Sequence, residues 1–303
     1  MQLREALHQG LKVLLAGDVP SPDLAAELLL MYVLGRDRAY LYTYPEADLS
    51  EAATRRYFEL IGERSTGRPT QYITGHQEFW GLDFEVTPDV LIPRPETEHV
   101  VEAVLQLADT GSAARSSLSI ENRKSTIVNS KMRIVDVGTG SGCIALALAS
   151  ELPGARIFAT DISPATLVVA RRNAARLGMA HRVEFLAGDL LTPLLEERLG
   201  GTFDFVVSNP PYVGIAELDS VQREVREFEP RVAWGGVEDG GAIYRRLFRQ
   251  ALEALKPGGH LVVEIGYTMR DKVLALLADG WTEREARPDL SGIPRVVLAR
   301  KRP

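Results

Sequence analysis

Arg133-Ile134-Val135-Asp136-Val137-Gly138-Thr139-Gly140-Ser141-Gly142 begins as a short β-branched run and then breaks into three glycines within five residues. The apolar stretch Cys143–Glu151 that follows predicts a helix. Strand, glycine loop and helix in that order bring backbone N–H groups and a helix N-terminus against a ligand. The spacing narrows the class of ligand. A dinucleotide fingerprint has its third glycine at the sixth position, whereas here the third glycine falls at the fifth and Cys143 takes the sixth. The loop also lacks the lysine and hydroxyl of a phosphate-gripping loop. Asp136, just before the glycines, disfavours a polyphosphate and suits a ligand that carries positive charge.

Downstream the pattern repeats. Arg156–Thr160 reads as a strand ending at Asp161, and Pro164 opens a helix through Leu177 whose Leu167, Ala170 and Ala174 form a packing face. A third strand, Val183–Ala187, ends in Gly188-Asp189. Open parallel sheets bind ligands along the carboxyl edge of their strands, where a carboxylate can accept ribose hydroxyls. Asp136, the glycine loop, Asp161 and Asp189 would then line one crevice, although Asp161 and Asp189 taken singly also suit turn or helix caps. The fourth strand, Phe203–Ser208, ends in Asn209-Pro210-Pro211-Tyr212. Its prolines stiffen the turn and offer carbonyls without N–H groups. The Asn209 side-chain oxygen and the Pro210 carbonyl can together accept both hydrogens of a planar –NH2 group, and Tyr212 gives a face for the flat amide or ring that bears it.

Upstream the texture is different. Leu3, Leu7, Leu11 and Leu14 recur at helical spacing, as do Leu24, Leu28 and Met31, and a third helix is expected from Ser50 to about Ser65 with Ser50 as its cap. Residues 1–75 therefore read as a small helical bundle. Phe79–Val86 partly alternates around Gly81 and predicts a hairpin, so residues 76–100 form a linker. Glu96 or Thr97 starts a helix that runs to about Ala108, and the serine-rich stretch 109–131 reads as a flexible insertion within a domain spanning 101–303.

Composition sets outer bounds. At 303 residues, 45% hydrophobic and 25% charged, the chain is neither disordered nor fibrous. Its net charge is −6 and it has no basic tail, which argues against tight nonspecific nucleic-acid binding. A single cysteine excludes an intramolecular disulfide, and five scattered histidines give no metal-ligand spacing, so no metal is expected. Arg4, Glu5 and Lys12 interrupt the N-terminal apolar residues, so no secretory leader is expected. The apolar stretch Leu24–Leu34 contains Glu27 and is shorter than the roughly 20 residues of a membrane span. The expectation is a cytoplasmic protein.

Asp136-Val137-Gly138-Thr139-Gly140-Ser141-Gly142, Asp161, Gly188-Asp189 and Asn209-Pro210-Pro211-Tyr212 resemble the motifs of S-adenosylmethionine-dependent methyltransferases that act on amino groups. Further stretches narrow the resemblance. Gln71-Tyr72-Ile73-Thr74-Gly75, Glu78-Phe79-Trp80-Gly81-Leu82, the run from Thr87-Pro88-Asp89 through Ile92-Pro93-Arg94-Pro95-Glu96-Thr97-Glu98, Glu229-Pro230-Arg231 and Glu264-Ile265-Gly266 are similar to the PrmC/HemK glutamine methyltransferases of peptide chain release factors.

That resemblance implies an α/β, doubly wound, mostly parallel seven-stranded sheet carrying a helical N-terminal bundle and a hairpin linker. It implies methyl transfer from S-adenosyl-L-methionine to the glutamine side-chain amide of the Gly-Gly-Gln motif in class 1 release factors, with the helical domain helping to hold the protein substrate. It assigns Asp136, Gly138, Thr139, Gly140, Ser141, Gly142, Asp161, Asp189, Leu190 and Asn209 to the cofactor, and Leu190 stands where an aromatic residue is often found. Catalysis falls to Asn209, Pro210 and Tyr212. Substrate binding adds Pro211, Arg94 and Glu96, although Arg94 and Glu96 could instead fasten the linker, and Glu264 could be functional or structural. The alternative is an N-methyltransferase acting on adenine or guanine in DNA or RNA, since the Asn-Pro-Pro-Tyr turn is shared. Such an enzyme should carry a basic recognition region, and residues 1–75 hold 8 basic against 10 acidic residues. A noncatalytic scaffold is the third reading, and the intact turn argues against it.

Overall fold

A computed structural model describes residues 1–113, 132–237 and 240–303. The chain divides into two compact units, one of residues 1–76 with 222–228 and the other of residues 77–221 with 229–303.

The first unit contains α1 (Leu3–Ala16), α2 (Pro22–Leu34), α3 (Arg38–Thr43), α4 (Glu51–Ser65) and α5 (Thr70–Thr74). The expected cap is in place, with Ser50 Oγ accepting from the Ala53 N–H at 3.1 Å. Leu3 and Leu14 from α1, Leu29 and Leu30 from α2, and Leu60 and Ile61 from α4 close a core that excludes water. The short helix α10 (Arg223–Phe228) belongs to this unit although it is encoded some 150 residues later. Buried Arg64 donates to the Arg68 carbonyl at 3.1 Å and ion-pairs with Glu224, and Arg223 donates to the Thr66 carbonyl at 3.2 Å.

The second unit opens with the hairpin β1 (His76–Phe79) and β2 (Leu82–Glu85), followed by a 3-10 turn at Pro95–Thr97 and α6 (Glu98–Ala113). The helix thus runs five residues beyond the expected end at Ala108, and the rest of the 109–131 insertion, residues 114–131, lies outside the described residues. There follow β3 (Arg133–Val137), α7 (Cys143–Glu151), β4 (Arg156–Asp161), α8 (Pro164–Arg176), β5 (Val183–Ala187), α9 (Thr192–Glu196) and β6 (Phe203–Ser208). Beyond them lie β7 (Val213–Gly214), α11 (Arg231–Trp234), β8 (Gly235–Val237), α12 (Ala242–Ala254), β9 (Leu255–Glu264), α13 (Arg270–Leu276), β10 (Trp281–Pro288) and β11 (Pro294–Lys301).

Seven strands form one sheet in the order β10-β11-β9-β6-β3-β4-β5. Its pairings are parallel except for those made by β11, which runs antiparallel to both β9 and β10. The strands read as continuous apolar runs because both faces are covered. Ile134, Ile157 and Val262 pack with α6 and α7 on one face. Val135, Phe158, Leu261 and Val263 pack with Tyr244, Leu247 and Ala251 of α12 on the other. This winding puts the carboxyl ends of β3, β4, β5 and β6 along one edge, and the sequence motifs follow those four ends.

Candidate active site

The loop after β3 is held from behind. Gly138 and Thr139 donate backbone N–H groups to the Thr160 carbonyl at 2.8 and 3.0 Å, and the Gly140 N–H donates to Asp161 Oδ2 at 3.1 Å. Gly138 and Gly140 have φ of +71° and +58°, and a Cβ on either would meet nothing within 4 Å. Glycine is required there by backbone conformation, while the space above the loop stays open.

Asp136 braces this loop from beneath. It is fully buried, and its Oδ2 accepts from Thr139 Oγ at 2.6 Å and from the Ala145 N–H at 3.2 Å. Burial pushes its carboxyl up to about 7. The sequence expectation placed Asp136 in the crevice. It does not line the cavity: Oδ2 ties the loop to the first turn of α7, and Oδ1 is buried without a hydrogen-bond partner.

Asp161, at the end of β4, accepts from the Ser163 N–H at 2.9 Å through Oδ1 and from Gly140 through Oδ2. Burial raises its pKa above the ordinary carboxylate value. The cap of α8 is Ser163, so Asp161 shapes the turn and still faces the cavity. Asp189 is ion-paired with Arg246, both at the cavity wall. Leu190 beside it has φ +51°, a conformation that costs a non-glycine residue energy and concentrates at functional sites.

β6 delivers the last motif. Ser208 Oγ donates to the Val137 carbonyl at 2.7 Å, tying the ends of β6 and β3 together. Asn209 Nδ2 donates to Thr97 Oγ at 3.0 Å, and Thr97 Oγ donates to Glu264 Oε2 at 2.6 Å. Thr97 and Glu264 are each 2% exposed, and burial pushes the Glu264 carboxyl up to about 7. Tyr212 packs its ring against Gly266, where a Cβ would lie 3.0 Å from Tyr212 Cδ2, and burial pushes its hydroxyl up to about 12. Arg94 reaches buried Glu229 at 2.5 Å, and Glu229 also accepts from the Ile92 N–H at 3.2 Å.

These groups surround a cavity of about 250 Å³. Of the residues expected from sequence, Gly138, Thr139, Gly140, Ser141, Asp161, Asp189, Leu190, Asn209, Pro211 and Arg94 line it. Asp136, Gly142, Pro210, Tyr212 and Glu96 do not. Glu96 lies 3.9 Å from Arg295 in the 3-10 turn. Arg94 lines the cavity and is also tied to Glu229. Sequence reasoning took Thr97 only as a possible helix start and did not single out Arg246 at all. Thr97 stands inside a quoted motif, whereas Arg246 carries no signal in a basic stretch of helix. Among the described residues no cluster could hold a metal, and no helix is long and apolar enough to cross a membrane.

Residues 5–75 match the model of the PrmC N-terminal domain, and residues 128–279 match that of a methyltransferase domain. The release factor glutamine methyltransferase of Koribacter versatilis is 50% identical over 301 residues, 99% of each chain. That of Moorella thermoacetica is 44% identical over 304 residues, covering 100% of this chain and 99% of its own. The chain belongs to the release factor glutamine methyltransferase family. Solved structures share the fold at low identity. The human METTL16 catalytic domain in complex with the MAT2A 3′UTR hairpin 6 aligns with a TM-score of 0.52 and 15% identity over 80% of this chain and 82% of that one. This release factor glutamine methyltransferase family member thus carries the seven-stranded methyltransferase sheet expected from its motifs.

Proposed function

We propose that this chain transfers a methyl group from S-adenosyl-L-methionine to the side-chain amide nitrogen of the glutamine in the Gly-Gly-Gln motif of class 1 peptide chain release factors. The observation that carries the reading is that Asn209, Arg94, the glycine loop and Asp161 open on one cavity, in a chain alignable end to end with its relatives.

The cavity fits the cofactor. Ser141 Oγ is buried without a partner, the space above Gly138 and Gly140 is open, and Asp161 lines the cavity with acceptor capacity beyond its backbone hydrogen bonds for a ribose hydroxyl. Asp189, Leu190 and the loop residues Thr139 and Ser141 would hold the remainder, with Asp136 and Gly142 supporting the loop from behind. When bound, S-adenosylmethionine supplies a methyl group already activated on positive sulfur.

The chain's own task is then to present a poorly nucleophilic amide nitrogen in line and free of water, a contribution on the order of 7–11 kcal/mol. Oδ1 of Asn209, which lines the cavity, would accept one amide hydrogen, and the carbonyl of Pro210, the next residue and not itself part of the lining, would accept the other, so turning the nitrogen lone pair outward. Pro211 keeps that turn rigid, and Tyr212 supports it from the Gly266 side. Neither Asn209 nor Pro210 has to remove a proton beforehand, because a methylated amide nitrogen is acidic enough to lose one to water. Arg94 would hold the substrate backbone or side chains beside Asn209. Residues 1–75 would hold the body of the release factor, and the reaction would take place in the cytoplasm.

The test is transfer from labelled S-adenosylmethionine to a purified release factor with its Gly-Gly-Gln glutamine intact or replaced. Label confined to the intact factor is the expected result. Label on DNA or RNA instead would replace this reading with the nucleic-acid alternative.

A further inference from the structure

Thr97 sits where a helix N-cap would be expected, yet its side chain does not cap α6. Its hydroxyl spans 167 positions of sequence to reach Glu264 Oε2 at 2.6 Å. The backbone turn there is made without it, by the Thr97 N–H donating to the Arg94 carbonyl at 3.0 Å. A hydroxyl has one hydrogen and two lone pairs. Once that hydrogen is given to Glu264, Thr97 Oγ can only accept, and the group that donates to it is Asn209 Nδ2 at 3.0 Å.

The asparagine amide has two chemically opposite ends on nearly the same shape. With Nδ2 against Thr97, Oδ1 is the end left for the cavity that Asn209 lines. In the flipped orientation Oδ1 would face the lone pairs of Thr97 Oγ, and the cavity would receive two N–H donors facing a substrate –NH2 that is itself a donor. We propose that Thr97 and Glu264 are positioning residues that fix the amide of Asn209 with its acceptor oxygen toward the substrate nitrogen. The inference rests on the reading that Asn209 accepts from the substrate amide.

The three residues come from separate elements held in register. Asn209 follows β6, Glu264 ends β9 beside it, and Thr97 closes the turn before α6. The Glu264 backbone is itself anchored, its carbonyl accepting from the Tyr244 hydroxyl at 2.8 Å. Thr97 and Glu264 are each almost completely buried although Thr97 borders the cavity, so little solvent reaches either bond. An orientation set by one buried hydrogen bond carries a preference of about ten- to hundredfold.

The experiment compares Thr97→Val, which keeps the shape and removes the hydroxyl, with Thr97→Ser, which restores it. Both full-length variants are assayed at pH 8 with purified release factor, and cofactor affinity is measured by calorimetry. Thr97→Val is expected to lower kcat by about 100-fold, as loss of one oriented transition-state contact does, with the release-factor KM and the cofactor Kd changed less than about twofold. Thr97→Ser is expected to stay within about threefold of the parent. Wild-type kcat in the valine variant, or equal losses in the two variants, would overturn the proposal. Proton exchange of the Asn209 side-chain amide, followed by NMR, reads the orientation without turnover. Slow exchange in the parent and in Thr97→Ser but fast exchange in Thr97→Val is expected, and equal exchange in all three overturns the assignment. A parent that leaves the release factor unlabelled yet passes the exchange test would locate the failure in the substrate reading and not in the positioning.

Discussion

Asn209 and Asp161 line one cavity, and single substitutions should separate the roles proposed for them. Asn209→Ala should abolish methyl transfer, by about 100-fold or more, while the cofactor Kd measured by calorimetry stays nearly unchanged. Equal loss of both would count against its role toward the substrate. Asp161→Ala should do the reverse and raise the cofactor Kd about tenfold or more, since it would remove the proposed ribose acceptor together with the brace on Gly140. Glu264 makes a prediction about pH. Its carboxyl moves from an ordinary 4.5 to about 7 on burial, so folding favours the protonated form. The stability this gives is complete below about pH 4.5 and is lost as pH rises through about 7. Asp136 acts in the same sense. Urea midpoints of the parent should therefore fall between pH 5 and 7, and Glu264→Gln should flatten that fall by up to about 1.4 kcal/mol per pH unit. Parallel profiles for the two proteins would refute the assignment.

The elements that carry the site differ in how openly the sequence declares them. β3, the glycine loop and α7 were legible from residue type alone, because a buried parallel strand must be apolar and a left-handed turn must be glycine. The strand ends at Asp161, Asp189 and Asn209 followed from the same rule. What stayed hidden depends on contacts across long stretches of chain. Asp136 reads as a ligand from its position, and only the fold reveals that Thr139 and Ala145 bond its Oδ2. Thr97 reads as a cap because Glu264 lies 167 residues away. The place of β10 in the chain was not foreseen, since Thr282-Glu283-Arg284-Glu285 on a sheet edge carries polar residues where a strand signal would be apolar. Two substitutions test the elements that were read. Gly140→Ala forces a Cβ into φ +58°, with an expected cost of about 1–2 kcal/mol and a weaker cofactor Kd. Thermal unfolding and calorimetry on one preparation would measure both. Gly266→Ala brings a Cβ to 3.0 Å from the Tyr212 ring, so it should lower kcat several-fold by displacing the turn at 209–212 while circular dichroism remains unchanged. Undiminished turnover would mean that Tyr212 has room to yield.

At the scale of the whole molecule, the chain passes between its two units at three points in sequence, near residues 76, 221 and 228. The helical reading of residues 1–75 rests on leucine spacing, which has no means of finding residues 222–228. α10 is short and charged and carries no periodic signal, and only the fold brings Glu224 to Arg64. Arg64→Ala should therefore release residues 222–228. Because the Arg64 side chain is 4% exposed and Glu224 is 19% exposed, the expected loss is about 3 kcal/mol, and trypsin or Glu-specific cleavage should begin within that segment. Unchanged cleavage would show that Arg223 and Phe228, which both lie beside Gly67, suffice to hold it.

The discontinuity of the first unit has a bearing on how such a protein can be cut, recombined or grown. A gene fragment ending at His76 would encode α1 to α5 yet leave the Arg64 guanidinium with the Arg68 carbonyl alone, its ionic partner carried off with the other half. The helical unit is therefore not a cassette that one crossover could transplant onto another methyltransferase. Any exchange that respects its buried charge must carry two separated pieces of the gene together, so the bundle and the segment at 222–228 are expected to travel as a pair in chimaeras that remain folded.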